Sequence, residues 1–515
     1  MNRSLAARLF SGSLLTVVAL LLTACGQVLY KVPANNFANR PIPPSQLLQR
    51  VMASYTANGS QGGLEILDGL RDLRSNIQNT IPFFNISGYS GGNPTTIINY
   101  PEQSLGYVFS STDGSLVAIN YGKESTAGTV ATFAPSTPSV SASADGTRFA
   151  GAQAINGQLA VTGGGGTFYL NLPNVNKVVI NRGNSVILAM VRNSDTLYRV
   201  VKLNSTTNPI VPPGSVDCQP LLLPVYCVVP VPGTYDRPSN VYFSLDGNTA
   251  YVLNCGPECG GKTASITFLQ EGALTTDVIP TVNPLGPGAP DPRSILPVSN
   301  PVPIPGGVTT VLSSGTTLYL AGQSLFNQAS SGALIPTPRA DGLFTGYLTT
   351  LNLSTYAVSN PVSISDGNHS KMLFGDDNTL WIAAQQCANG ERHATGKNYN
   401  CLTMVNLGSS TPAASIVPNV TPGGTPTVPF PNGNQDAYYY GSVTGLCWVQ
   451  NYHKMFTAYG GQIHAFYTGG KITAENDPAI NTTPAAGTEL DNTLITIQGT
   501  VLDVAYIDAV TDDAD

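Results

Sequence analysis

Four histidines, His369, His393, His453 and His464, and eight cysteines carry most of the reactive side chains of this sequence. Any histidine-based catalyst or metal centre must draw on those four. His453 and His464 flank a hairpin-like segment, Met455 to Gln462, with Cys447 upstream, so they could meet across strands as zinc or copper ligands. Their spacing matches no tight ligand motif, and ordinary strand histidines are the simpler reading. Cys255-Gly256-Pro257-Glu258-Cys259 lacks a second pair at metal-site spacing and reads as a local disulfide. There is no Cys-x-x-Cys-His for covalent haem. The run Gly163 to Gly166 lies between strand-like segments without a following helix, so it reads as a hairpin loop, not a phosphate cradle. No Gly-x-Ser-x-Gly elbow and no Ser/His/Asp set stand in a readable context. Aspartates at turns could bind calcium, but an Asp opening a turn is explained by bonds to its own backbone. Tyr438, Tyr439 and Tyr440 follow a Pro/Gly-rich loop; where exposed, such a cluster makes a flat, hydroxyl-bearing contact surface. No catalytic residue, metal ligand or cofactor follows from these patterns.

The most specific segment lies at the start of the chain. Arg3 and Arg8 precede an apolar run from Leu14, which closes with Leu22-Thr23-Ala24-Cys25. The run is too short for the roughly 20 residues that span a bilayer, and small residues follow it as in a cleavable signal. It resembles the lipobox of bacterial lipoproteins. The resemblance implies removal of residues 1–24 as a signal peptide and acylation of Cys25, with anchoring in the cell envelope. Gly26 in place of Asp resembles lipoproteins sent to the outer membrane of Gram-negative cells. Residues 25–44, broken by Pro33, Pro41, Pro43 and Pro44, read as a tether.

Composition narrows the partners. The net charge of −7 and the absence of a Lys/Arg cluster in the body disfavour nucleic acid. Only 10% of residues are charged, well below the usual quarter, while Gly, Pro, Ser, Thr and Asn are abundant, as in exported β proteins. The body cysteines group as Cys218 with Cys227, Cys255 with Cys259 and Cys387 with Cys401, which fits an oxidising compartment. Cys447, in the apolar run Gly445 to Val449, is then a buried thiol.

Apolar residues recur every three or four positions from Ser45 to Tyr55 and from Leu64 to Asn76, predicting two short helices in an N-terminal element, residues 45–80. From Ile81 onward short runs of Val, Ile, Thr, Tyr and Leu alternate with turn residues, an all-β pattern. A unit repeats within it: Asp246-Gly247-Asn248-Thr249-Ala250-Tyr251-Val252 matches the segments starting at Ser314 and Asp376, and weaker copies start at Asp113, Asp145, Arg182 and Asn451. Each is a tight turn leading into a strand, with another strand before it. Strand, turn, strand, loop, strand is most of a propeller blade, and the anchors predict about seven blades over residues 81–515. Tyr251-Val252-Leu253-Asn254 resembles the surface β-propellers built on a Tyr-Val-Thr-Asn repeat. Such propellers are often closed by strands from both chain ends, and Thr500 to Ile507 reads as a closing strand.

The reading is therefore an all-β propeller with a short helical N-terminal segment. It is anchored to the membrane through its N-terminal lipid and serves as a scaffold or binding module for a protein or glycan partner. The alternatives are a propeller enzyme, lactonase-like or quinone-dependent, with its site at the channel mouth, and a structural subunit of a surface assembly.

Overall fold

The computed structural model describes residues 41–69, 84–163, 166–203, 212, 214–219, 225–276, 300–328, 334–338, 344–387, 400–409, 412–418, 440–470, 485–490, 497 and 499–510. Cys25, the signal and most of the tether lie outside them.

Eight antiparallel sheets follow one another as blades. Blade 1 is Thr500–Tyr506, Arg50–Thr56, Gly62–Asp68 and Phe84–Asn85, written from the innermost strand outward. Blade 2 begins with Pro94–Ile98, blade 3 with Ser139–Ala142, blade 4 with Val175–Ile180 and blade 5 with Pro238–Phe243. The innermost strands of blades 6, 7 and 8 are Thr310–Ser314, Asn368–Gly375 and Val443–Val449. Blade 8 has three strands, and the segment 485–490 covers its outer edge through bonds such as Leu490 N–H to the Ala465 carbonyl.

Packing between blades closes the ring. Eight apolar clusters each draw on two neighbouring blades, from the blade 1–2 cluster around Met52, Ile66 and Val108 to the blade 8–1 cluster around Val51, Phe456 and Val504. Cys447 is a buried thiol within the last of these. Trp381, fully buried, fills the blade 7–8 interface.

The chain thus has eight blades, not about seven. The segment expected to hold helices supplies the missing one, because Arg50–Thr56 and Gly62–Asp68 are strands; residues 70–76 lie outside the described residues. Both strands are interior to a sheet that is itself packed between two blades, so they bury both faces and lose the alternation that marks a half-exposed strand. Their Leu, Met and Ala content then mimics a helix stripe. The closing strand does form, and it is the innermost strand of blade 1.

The repeated turns sort by position. Those at Asp145, Arg182, Asp246, Ser314, Asp376 and Asn451 join the first and second strands of blades 3 to 8, all on the face where the innermost strands end, here the exit face. The turn at Asp113 joins the second and third strands of blade 2, on the opposite face. A second recurrence had no counterpart in the sequence patterns. A residue of positive φ precedes every innermost strand: Asn93, Ser136, Asn174, Arg237, Gly307, Gly367, Gly441 and Gly499. At Gly307 even the space is lacking, since a Cβ would lie 2.2 Å from the Gln323 carbonyl oxygen.

One buried acid makes the ring sensitive to pH. Glu65, on the third strand of blade 1, leaves Oε2 without a hydrogen bond, and burial pushes its carboxyl up to about 7. The folded protein keeps this proton where the unfolded chain, at 4.5, has lost it, so the contribution to stability is full below about pH 4.5 and is lost as pH rises through about 7. Glu65→Gln is expected to match the parent in urea unfolding at pH 4 and to exceed it at pH 8 by about 2 kcal/mol, allowing for solvent screening. Equal midpoints at pH 8 would contradict this.

Candidate functional site at the channel mouth

The innermost strands line a central channel, and most of them share one irregularity. A β-bulge interrupts pairing with the second strand near the start of the innermost strand in blades 2, 4, 5, 7 and 8, and at the matching place in blade 1. The residues that resume pairing are Thr96, Lys177, Asn240, Lys371, Gly445 and Asp503, one level of the channel wall. Bulges of this kind re-aim side chains at functional rims.

Neighbouring innermost strands are joined by short polar side chains. Ser139 Oγ donates to the Val178 carbonyl at 3.3 Å, and Ser141 Oγ accepts from Ile180 N–H at 3.0 Å. Thr310 Oγ1 donates to the His369 carbonyl at 2.8 Å. Lys371 Nζ reaches Asp503 Oδ1 at 2.6 Å, past the intervening strand of blade 8, and Asp503 Oδ2 accepts from Ile97 N–H at 3.0 Å. Gly445 makes room for that carboxylate, since a Cβ there would lie 2.7 Å from Asp503 Oδ1. Serine and threonine hydroxyls carry most of these close crossings, which accounts for part of the composition.

Toward the exit face the channel widens into a cavity of about 780 Å³, within the usual range for small-ligand sites. Asn240, Ser370 and Lys371 bring the bulge level into its wall, and Tyr100, Arg182 and Tyr242 frame its mouth. Tyr242 is fixed by stacking on Tyr251, centroids 6.1 Å apart, and by a 2.8 Å hydrogen bond with Ser313 Oγ. Tyr100 donates to the Ala142 carbonyl at 2.7 Å, and the Arg182 guanidinium lies 5.9 Å from its ring centroid. Glu271, at the cavity wall, accepts from Asn181 Nδ2 at 2.6 Å; burial raises its carboxyl, and Asp246 adds to the effect.

The turn aspartates are occupied as turn residues. Asp246 accepts from Ser244 and Asn248, which hold it below the usual carboxylate range. Burial alone would raise Asp145, but bonds from Ser143, Thr147 and Asn184 bring it to about 2.

The three cysteine pairs form disulfides. Cys218–Cys227 ties the two outer strands of blade 4, Cys255–Cys259 closes the loop after the second strand of blade 5, and Cys387–Cys401 ties blade 7. The tyrosine surface does not hold for Tyr440, which is 3% exposed; Tyr438 and Tyr439 lie outside the described residues. Its hydroxyl donates to Glu489 Oε2 at 2.9 Å, His464 Nδ1 lies 2.7 Å from Glu489 Oε1, and the two rings pack tilted by 30° with centroids 4.1 Å apart. His453 and His464 do not converge: His453 pairs with Asp376 at 3.0 Å instead. His369 Nε2 is 2.9 Å from the Ser365 carbonyl oxygen, and His393 lies outside the described residues. Among the described residues no group of three or more His, Cys, Asp or Glu could hold a metal, and none of the histidines lines the cavity. Gly88-Tyr89-Ser90-Gly91-Gly92 has the letters of a nucleophile elbow, but it lies in the connection to blade 2 with no helix after it.

The cavity residues were missed by sequence reasoning. Their signal is a polar pair opening an otherwise apolar strand, as in Ser239-Asn240 and Ser370-Lys371, of which Asn240, Ser370 and Lys371 line the cavity.

Neither a family model nor a curated relative matches this sequence. Among solved structures it is similar to dihydro-heme d1 dehydrogenase NirN in complex with DHE, with 10% identity, 89% of this chain and 75% of that one covered, and a TM-score of 0.48. Hydrazine synthase of Kuenenia stuttgartiensis matches with 12% identity, 73% and 96% coverage and a TM-score of 0.41. The β-propeller domain of Cps50 (Swd1) from Myceliophteria thermophila matches with 10% identity, 74% and 98% coverage and a TM-score of 0.39. At such identities the likeness concerns fold alone, and by its own eight blade sheets and the eight interfaces between them the chain is a closed all-β propeller.

Proposed function

We propose that this chain is a lipid-anchored protein of the cell envelope, in the outer membrane of a Gram-negative cell, whose propeller binds a polar, glycan-type ligand at the mouth of its central channel. The observation that carries the reading is the cavity itself, where amides and hydroxyls converge beside the fixed ring of Tyr242. Aromatic faces flanked by amide groups suit hydroxylated ligands, which present apolar ring faces and many hydrogen-bonding edges. Acylation of Cys25 is supported by the apolar run and Leu22-Thr23-Ala24 before it. Residues 45–49 reach blade 1 on the exit face, so the tether joins the body on the same face as the cavity.

Calorimetric titration of the full chain with a panel of envelope oligosaccharides tests the ligand. Tyr242→Ala is expected to weaken binding at least about tenfold while the circular dichroism spectrum is unchanged; equal affinity would overturn the site. Cys25→Ser is expected to abolish fatty-acid labelling in cells, and persistent labelling would overturn the anchor.

A further inference from the structure

The side chain of Lys177 makes no hydrogen bond or ion pair among the described residues, although Lys177 stands on the innermost strand of blade 4 within a closed ring. Lys177 is partly exposed, and its bulge position puts it one blade from Asn240 of the cavity wall, while Lys177 itself is not among the residues lining the mouth cavity. The other cations of this region are engaged: Lys371 with Asp503, and Arg182 over Tyr100. An ammonium surrounded by protein without a counter-charge is costly, and burial accordingly pushes the Lys177 ammonium down. The adjacent blade contributes Asn240 at the same bulge level. Its Oδ1 accepts from Val241 N–H at 3.0 Å, which leaves Nδ2 as a donor at the cavity wall. Across the eightfold ring from blade 4 stands Gly445, which presents no side chain.

We infer that the bulge level is an oxyanion subsite, in which Lys177 and the Asn240 amide hold a carboxylate or phosphate group entering from the mouth cavity. The inference deepens the reading of the mouth as a ligand site, and it makes that ligand an acidic one: the hydroxylated body lies against Tyr242 and the acidic group reaches down to Lys177. A charge-assisted bond from an ammonium with few competing waters is the strong contact in such an arrangement.

The test is calorimetric titration of the full chain with inorganic phosphate, acetate, methyl glucuronide and methyl glucoside. The wild type is expected to bind phosphate, acetate and the glucuronide, and to bind the neutral glucoside at least about tenfold more weakly than the glucuronide. Lys177→Met is expected to remove phosphate and acetate binding, with an unfolding temperature no lower than the parent's, since an uncompensated charge is removed. Lys177→Arg keeps the charge and is expected to retain binding, which separates charge from folding should the methionine variant fold poorly. Tyr242→Ala is expected to leave phosphate binding intact while weakening the glucuronide. Phosphate binding unaffected in Lys177→Met, or no anion binding by the wild type, overturns the subsite. The second outcome leaves the mouth reading standing if oligosaccharides still bind in a Tyr242-dependent way.

Discussion

Arg50→Ala is expected to cost about 3–5 kcal/mol of folding stability, the range for breaking a buried ion network by removing one partner. Arg50 opens the second strand of blade 1, where the ring is closed by both ends of the chain. Its Nη2 reaches Asp508 Oδ1 at 2.7 Å, and its Nη1 reaches Glu124 Oε1 at 3.0 Å and the Tyr121 carbonyl at 2.6 Å. All three charged side chains are at most 5% exposed. Burial alone would lower the guanidinium, but Asp508 and Glu124 hold it above its usual value. Glu124 also accepts from Ser45 N–H at 2.7 Å, so a single cluster joins the incoming chain, the closing strand and blade 2. Removing the guanidinium leaves two carboxylates buried together, and urea unfolding checks the size of the loss. A change below about 1 kcal/mol would mean that closure rests on strand pairing and apolar packing alone.

Glu489→Ala is expected to cost about 3 kcal/mol, because it strands two buried partners at once. The Glu489 carboxylate serves Tyr440 and His464 together and sits on the segment that covers the outer edge of blade 8. Its loss leaves the Tyr440 hydroxyl and the His464 ring nitrogen without their acceptor inside the blade 7–8 region, beside Tyr459. Glu489→Gln keeps one carbonyl oxygen and is expected to lose about half as much. Equilibrium unfolding of both variants measures the difference, and equal losses would point to packing instead of hydrogen bonding.

Blades 3 to 8 were legible in sequence because each carries a turn with Asp, Ser, Asn or Gly between two apolar runs, a pattern that local backbone chemistry imposes. Blade 1 was not, because its strands come from opposite ends of the chain and bury both faces, so nothing local marks Met52 or Leu64 as strand residues. The disulfides were legible because each closes a short local loop. The cavity was not, since its wall draws Tyr100, Arg182, Tyr242 and Lys371 from separate blades, a juxtaposition that no single blade contains. Tyr440 misled because three consecutive tyrosines read as a surface, whereas its hydroxyl has a buried acceptor 49 residues away in Glu489.

Under the proposed anchoring of the body by its N-terminal side, the placement of Arg50–Thr56 has a mechanical meaning. Among the described residues this is the first strand that a pull from the N-terminal side reaches, and it lies between two antiparallel ladders, one of seven pairs with Gly62–Asp68 and one of six with Thr500–Tyr506. Force along the strand axis shears both ladders together and cannot open them one bond at a time, as it would a frayed edge. With such an anchor, drag on the body is shared across the closure of the ring.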